Sequence, residues 1–273
     1  MTTTIRFEVK PGVAAPVGAP ALNVSNIRPA AQPVGDVADF LDQFGGSYDP
    51  FQRARLAQSY FDLRDAGILA AMDLLCIRGL TSADSLINWS GTSRSATVTG
   101  ATFDAGRGFV HDGIDDFIDL NWAAGRYALG DASIFAGFTE PDSTEDSNPR
   151  LFAPDGGAPS ADRTNLNIGS SANAAGRINR SEAIVVEPND TNRGPQIWSM
   201  TDVDGLTSLY EGAEVIGTTS DGTHELPGHP IHLSRNRATF YGFTLGSFGY
   251  GAALTANQIG VLNRVINAMH RVI

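Results

Sequence analysis

The sequence predicts a mainly β protein: a β-sandwich preceded by an extended arm and a short helical segment and followed by a C-terminal helix. Three observations carry this. Glycine is abundant at 30 residues and proline at 14, a pairing that suits many short strands joined by turns. From residue 77 onward, roughly a dozen short stretches alternate apolar and polar residues between glycines, the spacing of a sandwich. One of them, "SLYEGAEVIGTTS", reads as a tight hairpin around Glu211-Gly212, with Leu209 before it, Val215 after it and Gly212 at positive φ. At 273 residues the chain can bury a sizeable core.

Residues 1–35 read as an arm. "MTTTIRFEV" alternates at Ile5, Phe7 and Val9, as a short strand would. Pro11, Pro16, Pro20, Pro29 and Pro33 then forbid both helix and central strand. A bare linker is more polar than this one. The expectation is an attachment arm that orders on a neighbouring subunit, with Ile5, Phe7, Val9 and Val24 as anchors.

Residues 36–76 read as a helical connector. Asp36 is a plausible cap for "DVADFLDQF". A second helix has Asp49 as cap, Pro50 in the first turn and Gly67 as stop, and carries Phe51, Leu56, Tyr60 and Leu63. "ILAAMDLLCIRG" is apolar throughout and fits either a helix extension or a buried strand.

Residues 77–273 supply the sandwich. Its strand candidates run from "LINWSG", "SATVTGATFDA", "RGFVHDG", "DFIDLNW" and "ASIFAGFTE" through "PQIWSMTDV" to "FYGFTLGSFGYG". "PDSTEDSNPR" reads as a surface loop. The chain ends in a helix whose Thr255 and Gln258 make a capping box, with Ile259, Leu262, Ile266 and Met269 on one face for docking on the sandwich.

Composition narrows the function. The net charge of −11 disfavours a nucleic-acid partner, which needs a basic face. Lys10 is the one lysine among 19 basic residues. Cys76 is the one cysteine, so an intrachain disulfide and a thiolate cluster are excluded, and its apolar neighbours predict burial. No stretch reaches the ~18 apolar residues of a membrane span, so no membrane insertion is expected. The first residues lack the basic start and apolar core of a secretory signal.

The stretch "GRGFVHDGIDDFIDLNW" gathers Asp112, Asp115, Asp116 and Asp119. Calcium takes six to eight oxygens, usually from several loops, and the linear EF-hand pattern is not matched here. A turn at Asp112-Gly113 followed by a strand is the favoured reading, with Asp112, Asp115 and Asp116 as the residues that would hold calcium if any do. Apart from that ion, no cofactor is expected. Glu182 and Glu187 are five apart and face opposite sides of a strand, so they make no hydrolase pair. His224, His229 and His232 match no helical zinc spacing, and G-x-S-x-G is absent. The expectation is a non-enzymatic protein. Trp122, Trp198, Tyr241 and Tyr250 are candidates for stacking on sugars, although such residues more often serve a core or an interface.

"FDAGRGFVHDGIDDFIDLNW", "SIFAGFTE", "SLYEGAEVIGTTS" and "YGFTLGSFGYGAALTANQIGVLNRVINAM" together resemble the concanavalin A-like, laminin-G-type jelly rolls. The resemblance covers residues 77–273, with Glu211 where the family's hairpin pattern has Asn. It implies a lectin-like jelly-roll sandwich. A narrower resemblance lies in "AGILAAMDLLCIRGLTSADSLINWSGTSRSATVTGATFDAGRGFVHDGIDDFIDL", which is similar to a segment of phage and prophage structural proteins, keeping their "NW" at Asn88-Trp89. It implies a virion component: a tail fibre, spike or capsid decoration subunit, located on the particle.

Two functions follow. The first is a virion protein whose arm joins other virion proteins, as a homo-oligomer, and whose jelly roll meets a host-surface glycan. The second is a calcium-dependent carbohydrate-binding module or a glycan-processing enzyme.

Overall fold

The computed structural model describes residues 35–122, 130–139, 150–154, 164–167, 174–178, 183–186, 196–220, 222, 230–236, 239–240, 242 and 244–273. The arm residues Ile5, Phe7, Val9 and Val24 lie outside these, as do Tyr241, His224, His229, Glu182 and Glu187.

Helices come first: α1 (Gly35–Leu41), α2 (Pro50–Asp65) and α3 (Ile68–Ala71). α1 begins at Gly35, so Asp36 lies inside the helix and not at its cap. α2 starts as its sequence dictates. Asp49 accepts from the Gln52 N–H, Gln52 answers on the Asp49 N–H, and Pro50 sits in the first turn. It stops at Ala66, and Gly67 follows with φ 74°. Leu56 and Leu63 face inward, whereas Phe51 is 63% exposed beneath the Arg55 guanidinium.

The apolar stretch after α3 splits in two. Met72–Ile77 forms strand β1, paired antiparallel with β17 (Thr244–Gly251), so the last five residues of the expected connector, Met72–Cys76, belong to the sandwich. A short helix, α4 (Ser82–Ser85), follows. "LINWSG" is not a strand; it makes a single bridge between Asn88 and Cys76.

Two antiparallel sheets form the body. The first holds eight strands: β13 (Glu214–Thr219), β12 (Leu206–Glu211), β11 (Gln196–Val203), β6 (Asp131–Thr139), β17, β4 (Gly108–Val110) and β3 (Thr102–Asp104) in order, with β1 beside β17. The second holds seven: β10 (Ile184–Val186), β9 (Ala174–Arg177), β8 (Asn165–Asn167), β7 (Arg150–Pro154), β14 (Ile231–Leu233), β5 (Phe117–Asp119) and β2 (Thr97–Thr99). A small ribbon joins β15 (Arg235–Asn236) to β16 (Thr239–Phe240). β7 was not expected from the sequence, which ran the polar loop through Arg150. The chain closes with helix α5 (Ala256–His270), carrying the expected capping box of Thr255 and Gln258.

The first sheet separates two cores, and strand alternation sorts its side chains between them. Leu74 and Cys76 of β1, Ile134 and Ala136 of β6, Trp198 and Met200 of β11, and Phe248 and Tyr250 of β17 face the second sheet. Leu75, Ile77, Phe135, Ile197 and Tyr210 face the helices, meeting Leu56 and Leu63 of α2 and Ile259, Leu262, Ile266 and Met269 of α5. The protein is therefore three layers: helices, first sheet, second sheet. Cys76 is 0% exposed, and burial pushes its thiol pKa up, as its neighbours predicted.

The hairpin forms one residue later than expected. Glu211 pairs with Glu214, leaving Gly212-Ala213 as a two-residue turn with Gly212 at φ 61°, the placement of glycine in a type II′ turn.

Candidate functional site

The acidic stretch folds as turn plus strand. Asp112 Oδ1 accepts the Ile114 N–H at 2.7 Å, closing a local Asx turn, and Gly113 takes φ 79°. Asp116 then turns inward on the side of Ile118 and Leu120, both fully buried in the inter-sheet core. Its Oδ2 accepts the Asp112 N–H at 2.7 Å. Burial, and then the nearby charges of Asp112 and Asp115, push the Asp116 pKa up, with the Asp112 hydrogen bond opposing.

These three carboxylates converge: one oxygen from each of Asp112, Asp115 and Asp116 lies within 4.8 Å of the others, with Asp112 and Asp115 exposed. Gly100 backs the cluster. A Cβ there would lie 2.0 Å from Asp116 Oδ1, and its φ of 76° suits glycine. The residues fit a hard cation in ligand chemistry, and three carboxylates leave most of a calcium shell to backbone and water.

The aromatic candidates are core residues. Trp122 stacks on Tyr250 with centroids 4.9 Å apart, and the two are 2% and 0% exposed. Trp198 is 0% exposed, with its Nε1–H donating to Gln196 Oε1 at 2.8 Å. Sugar stacking needs an open ring face, which none of the three has, so they are removed from the binding candidates.

Two clusters passed unnoticed in the sequence. Asp84, 1% exposed, accepts the Gly45 N–H at 2.9 Å and the Tyr48 hydroxyl at 3.1 Å. The same hydroxyl accepts the Leu80 N–H at 2.9 Å, tying the connector to the sandwich. Burial pushes the Tyr48 pKa up. The second is a pocket of about 460 Å³ beside α1, walled by Phe40, Tyr60 and Trp89 and rimmed by Asp39, Gln43 and Arg64. Phe40 stacks on Tyr60 at 4.5 Å.

Of the three histidines weighed as a zinc cluster, only His232 is among the described residues. His232 lies in β14 with its Nε2 3.7 Å from Asp119 Oδ1 and its ring against Phe117, and it is 3% exposed. His111 is buried in the core beside the acidic turn.

No family model matches the sequence, and no curated protein matches it either. Solved structures do. A sialidase of Trypanosoma rangeli in complex with sialic acid superposes with TM-score 0.54 at 14% identity, over 71% of this chain and 33% of the sialidase. A second structure of that sialidase gives TM-score 0.55 at 12% identity, over 77% and 38%. The binding domain of botulinum neurotoxin serotype D gives TM-score 0.50 at 13% identity, over 72% and 52%. The chain thus spans about a third to a half of the structures it resembles, and the likeness establishes a β-sandwich fold.

Proposed function

We propose that the chain is a non-enzymatic display subunit of a phage-type particle, with a concanavalin A-like sandwich. In this reading residues 1–35 join it to other virion proteins as part of a homo-oligomer, and the sandwich meets a host-surface glycan. The supporting observation is where the phage-like segment falls. Residues 66–120 run from the end of α2 through β1, β3 and β4 of the first sheet and β2 and β5 of the second. The resemblance therefore spans the junction of all three layers and not a surface loop. Asn88-Trp89, its shared dipeptide, sits at that junction: Trp89 is 2% exposed among Phe40 and Phe44, and Asn88 bonds the edge of β1. Deleting residues 1–35 tests the reading. A folded protein that no longer joins particles is expected; particles that still incorporate it would remove the proposal.

A second reading has its own observation, the convergent carboxylates of the 112–116 turn. On that reading the sandwich is a calcium-dependent carbohydrate-binding module. A glycan array probed with and without chelator separates the two: binding lost on chelation favours the second, and chelator-insensitive binding the first.

A further inference from the structure

The pocket of about 460 Å³ beside α1 is an aromatic recess in the helical layer. Phe40, Tyr60 and Trp89 wall it, and Leu69 and Ala70 of α3 continue the apolar lining. Ala70 and Gly91 form its exposed edge, and a Cβ added at Gly91 meets nothing within 4 Å. Two charges stand on the rim. Arg64 is held locally, bonded to Asp65 at 3.0 Å with its guanidinium 4.7 Å over the Phe61 ring. Asp39 is exposed and enters no ion pair among the described residues.

Aromatic walls and a free rim carboxylate suit an apolar side chain flanked by positive charge. The same chain carries such a segment. Ile5, Phe7 and Val9 alternate with Arg6, Glu8 and Lys10. Residues 1–34 hold three basic residues, Arg6, Lys10 and Arg28, against Glu8 alone. They therefore carry +2, and the rest of the chain carries −13 of the total −11. Opposite signs draw the two parts together.

Reach decides which copy's pocket is filled. α1 begins at Gly35 and itself walls the pocket, through Asp39, Phe40 and Gln43. Pro11, Pro16, Pro20, Pro29 and Pro33 favour an extended path between Lys10 and α1. At ~3.1 Å per residue, a polyproline-type run over residues 11–34 spans about 75 Å. A folded body of this size has a radius of gyration of about 18 Å. Phe7 is thereby carried past the pocket of its own copy. We propose that Phe7 of one copy enters the Phe40–Tyr60–Trp89 pocket of a second copy, with Arg6 and Lys10 beside that copy's Asp39. The inference rests on the arm and homo-oligomer of the function proposed above and names the surface that receives the arm.

The test is sedimentation of the full chain and its variants. The parent is expected to self-associate. Phe7→Ala, and Ala70→Trp at the exposed edge of the pocket, are each expected to sediment as monomers and to melt near the parent. Mixed in equal amounts, these two are expected to form one-to-one dimers, because the intact arm of the second meets the open pocket of the first. Asp39→Arg is expected to weaken self-association by about tenfold or more, since it sets like charges together. If Ala70→Trp melts early, Asp39→Arg replaces it alone and in the mixture. A parent that stays monomeric to its highest soluble concentration would overturn the proposal, as would undiminished association of Phe7→Ala or of a folded pocket variant, or a mixture without dimers. Loss of the protein from particles on deleting residues 1–35, together with a monomeric parent, would retain the attachment arm and remove this receptor alone.

Discussion

Ser247 Oγ lies 3.0 Å from Nε2 of His270, joining strand β17 to the last turn of helix α5. The pair has the composition of a nucleophile and its base, but Ser247 is 0% exposed and no substrate can reach it. Its role is to anchor the helix. Arg78, at the end of β1, donates to the His270 carbonyl at 2.7 Å and to the Gly106 carbonyl, so three separate segments meet at one guanidinium.

This arrangement predicts a pH dependence. Burial, then the charge of Arg78, lowers the His270 pKa from 6.5 to about 4. Between those values the unfolded chain binds more protons than the folded one, so stability is full above the upper value and falls as pH drops towards the lower. The total is on the order of 3 kcal/mol. Urea denaturation across this window is expected to show that decline in the parent and a shallower one in His270→Gln. Identical slopes for the two proteins would show that His270 is not the group responsible.

Asn88 closes the exposed edge of β1. Its Oδ1 accepts the Leu75 N–H at 3.0 Å and the Ser90 N–H at 3.1 Å, while Nδ2 donates to the Asp73 carbonyl at 2.9 Å and the Arg94 carbonyl at 3.1 Å. A side chain here does the work of a neighbouring strand, and an unpaired edge is a template for aggregation. Asn88→Ala is expected to cost about 2–4 kcal/mol, because several partners lose their bonds together, and to raise light scattering on heating. Asn88→Asp should be no better, since an acceptor would replace the donor facing the Asp73 carbonyl. A urea midpoint unchanged in Asn88→Ala would refute this role.

The stack of Trp122 on Tyr250 is a packing feature of the inter-sheet core. Trp122→Ala should cost about 3–5 kcal/mol, the usual range for deleting a large buried aromatic side chain. Its thermal melt should therefore fall well below that of the parent. A melt near the parent value, combined with lost glycan binding, would return Trp122 to the binding surface.

Local chemistry was legible in the sequence and layered burial was not. The caps of α2 and α5 follow from Asp49, Gln52, Thr255 and Gln258, residues that act within one turn of where they stand. The inward set Ile259, Leu262, Ile266 and Met269 follows from helical period. β1 was ambiguous for a physical reason. It lies between two cores, so both of its faces are apolar and the two-residue alternation that marks a strand is lost. Trp122, Trp198 and Tyr250 were misplaced for a different reason: loop proximity in sequence says nothing of depth. Asn88-Trp89 looked like a strand because it lies along one, contributing a side chain where a backbone would be.

The acidic turn gives the last prediction. Because the Asp116 pKa is raised, the protonated acid is favoured by folding, and the ionised form present at neutral pH is a liability. Asp116→Asn retains an acceptor for the Asp112 N–H and removes that charge. Without metal it is expected to melt at or slightly above the parent. A bound divalent cation reverses the sign, because it favours the ionised carboxylate. Calcium at about a hundred times its dissociation constant would then stabilise the parent by about 2.7 kcal/mol, and Asp116→Asn should lose most of that gain. Gly100→Ala should lose it too, since its Cβ would collide with Asp116 Oδ1 and its φ of 76° strains alanine. A calcium titration followed by thermal melting decides the matter. If the parent melt does not move, the turn holds its carboxylates together without an ion, and the calcium-dependent reading of this sandwich falls with it.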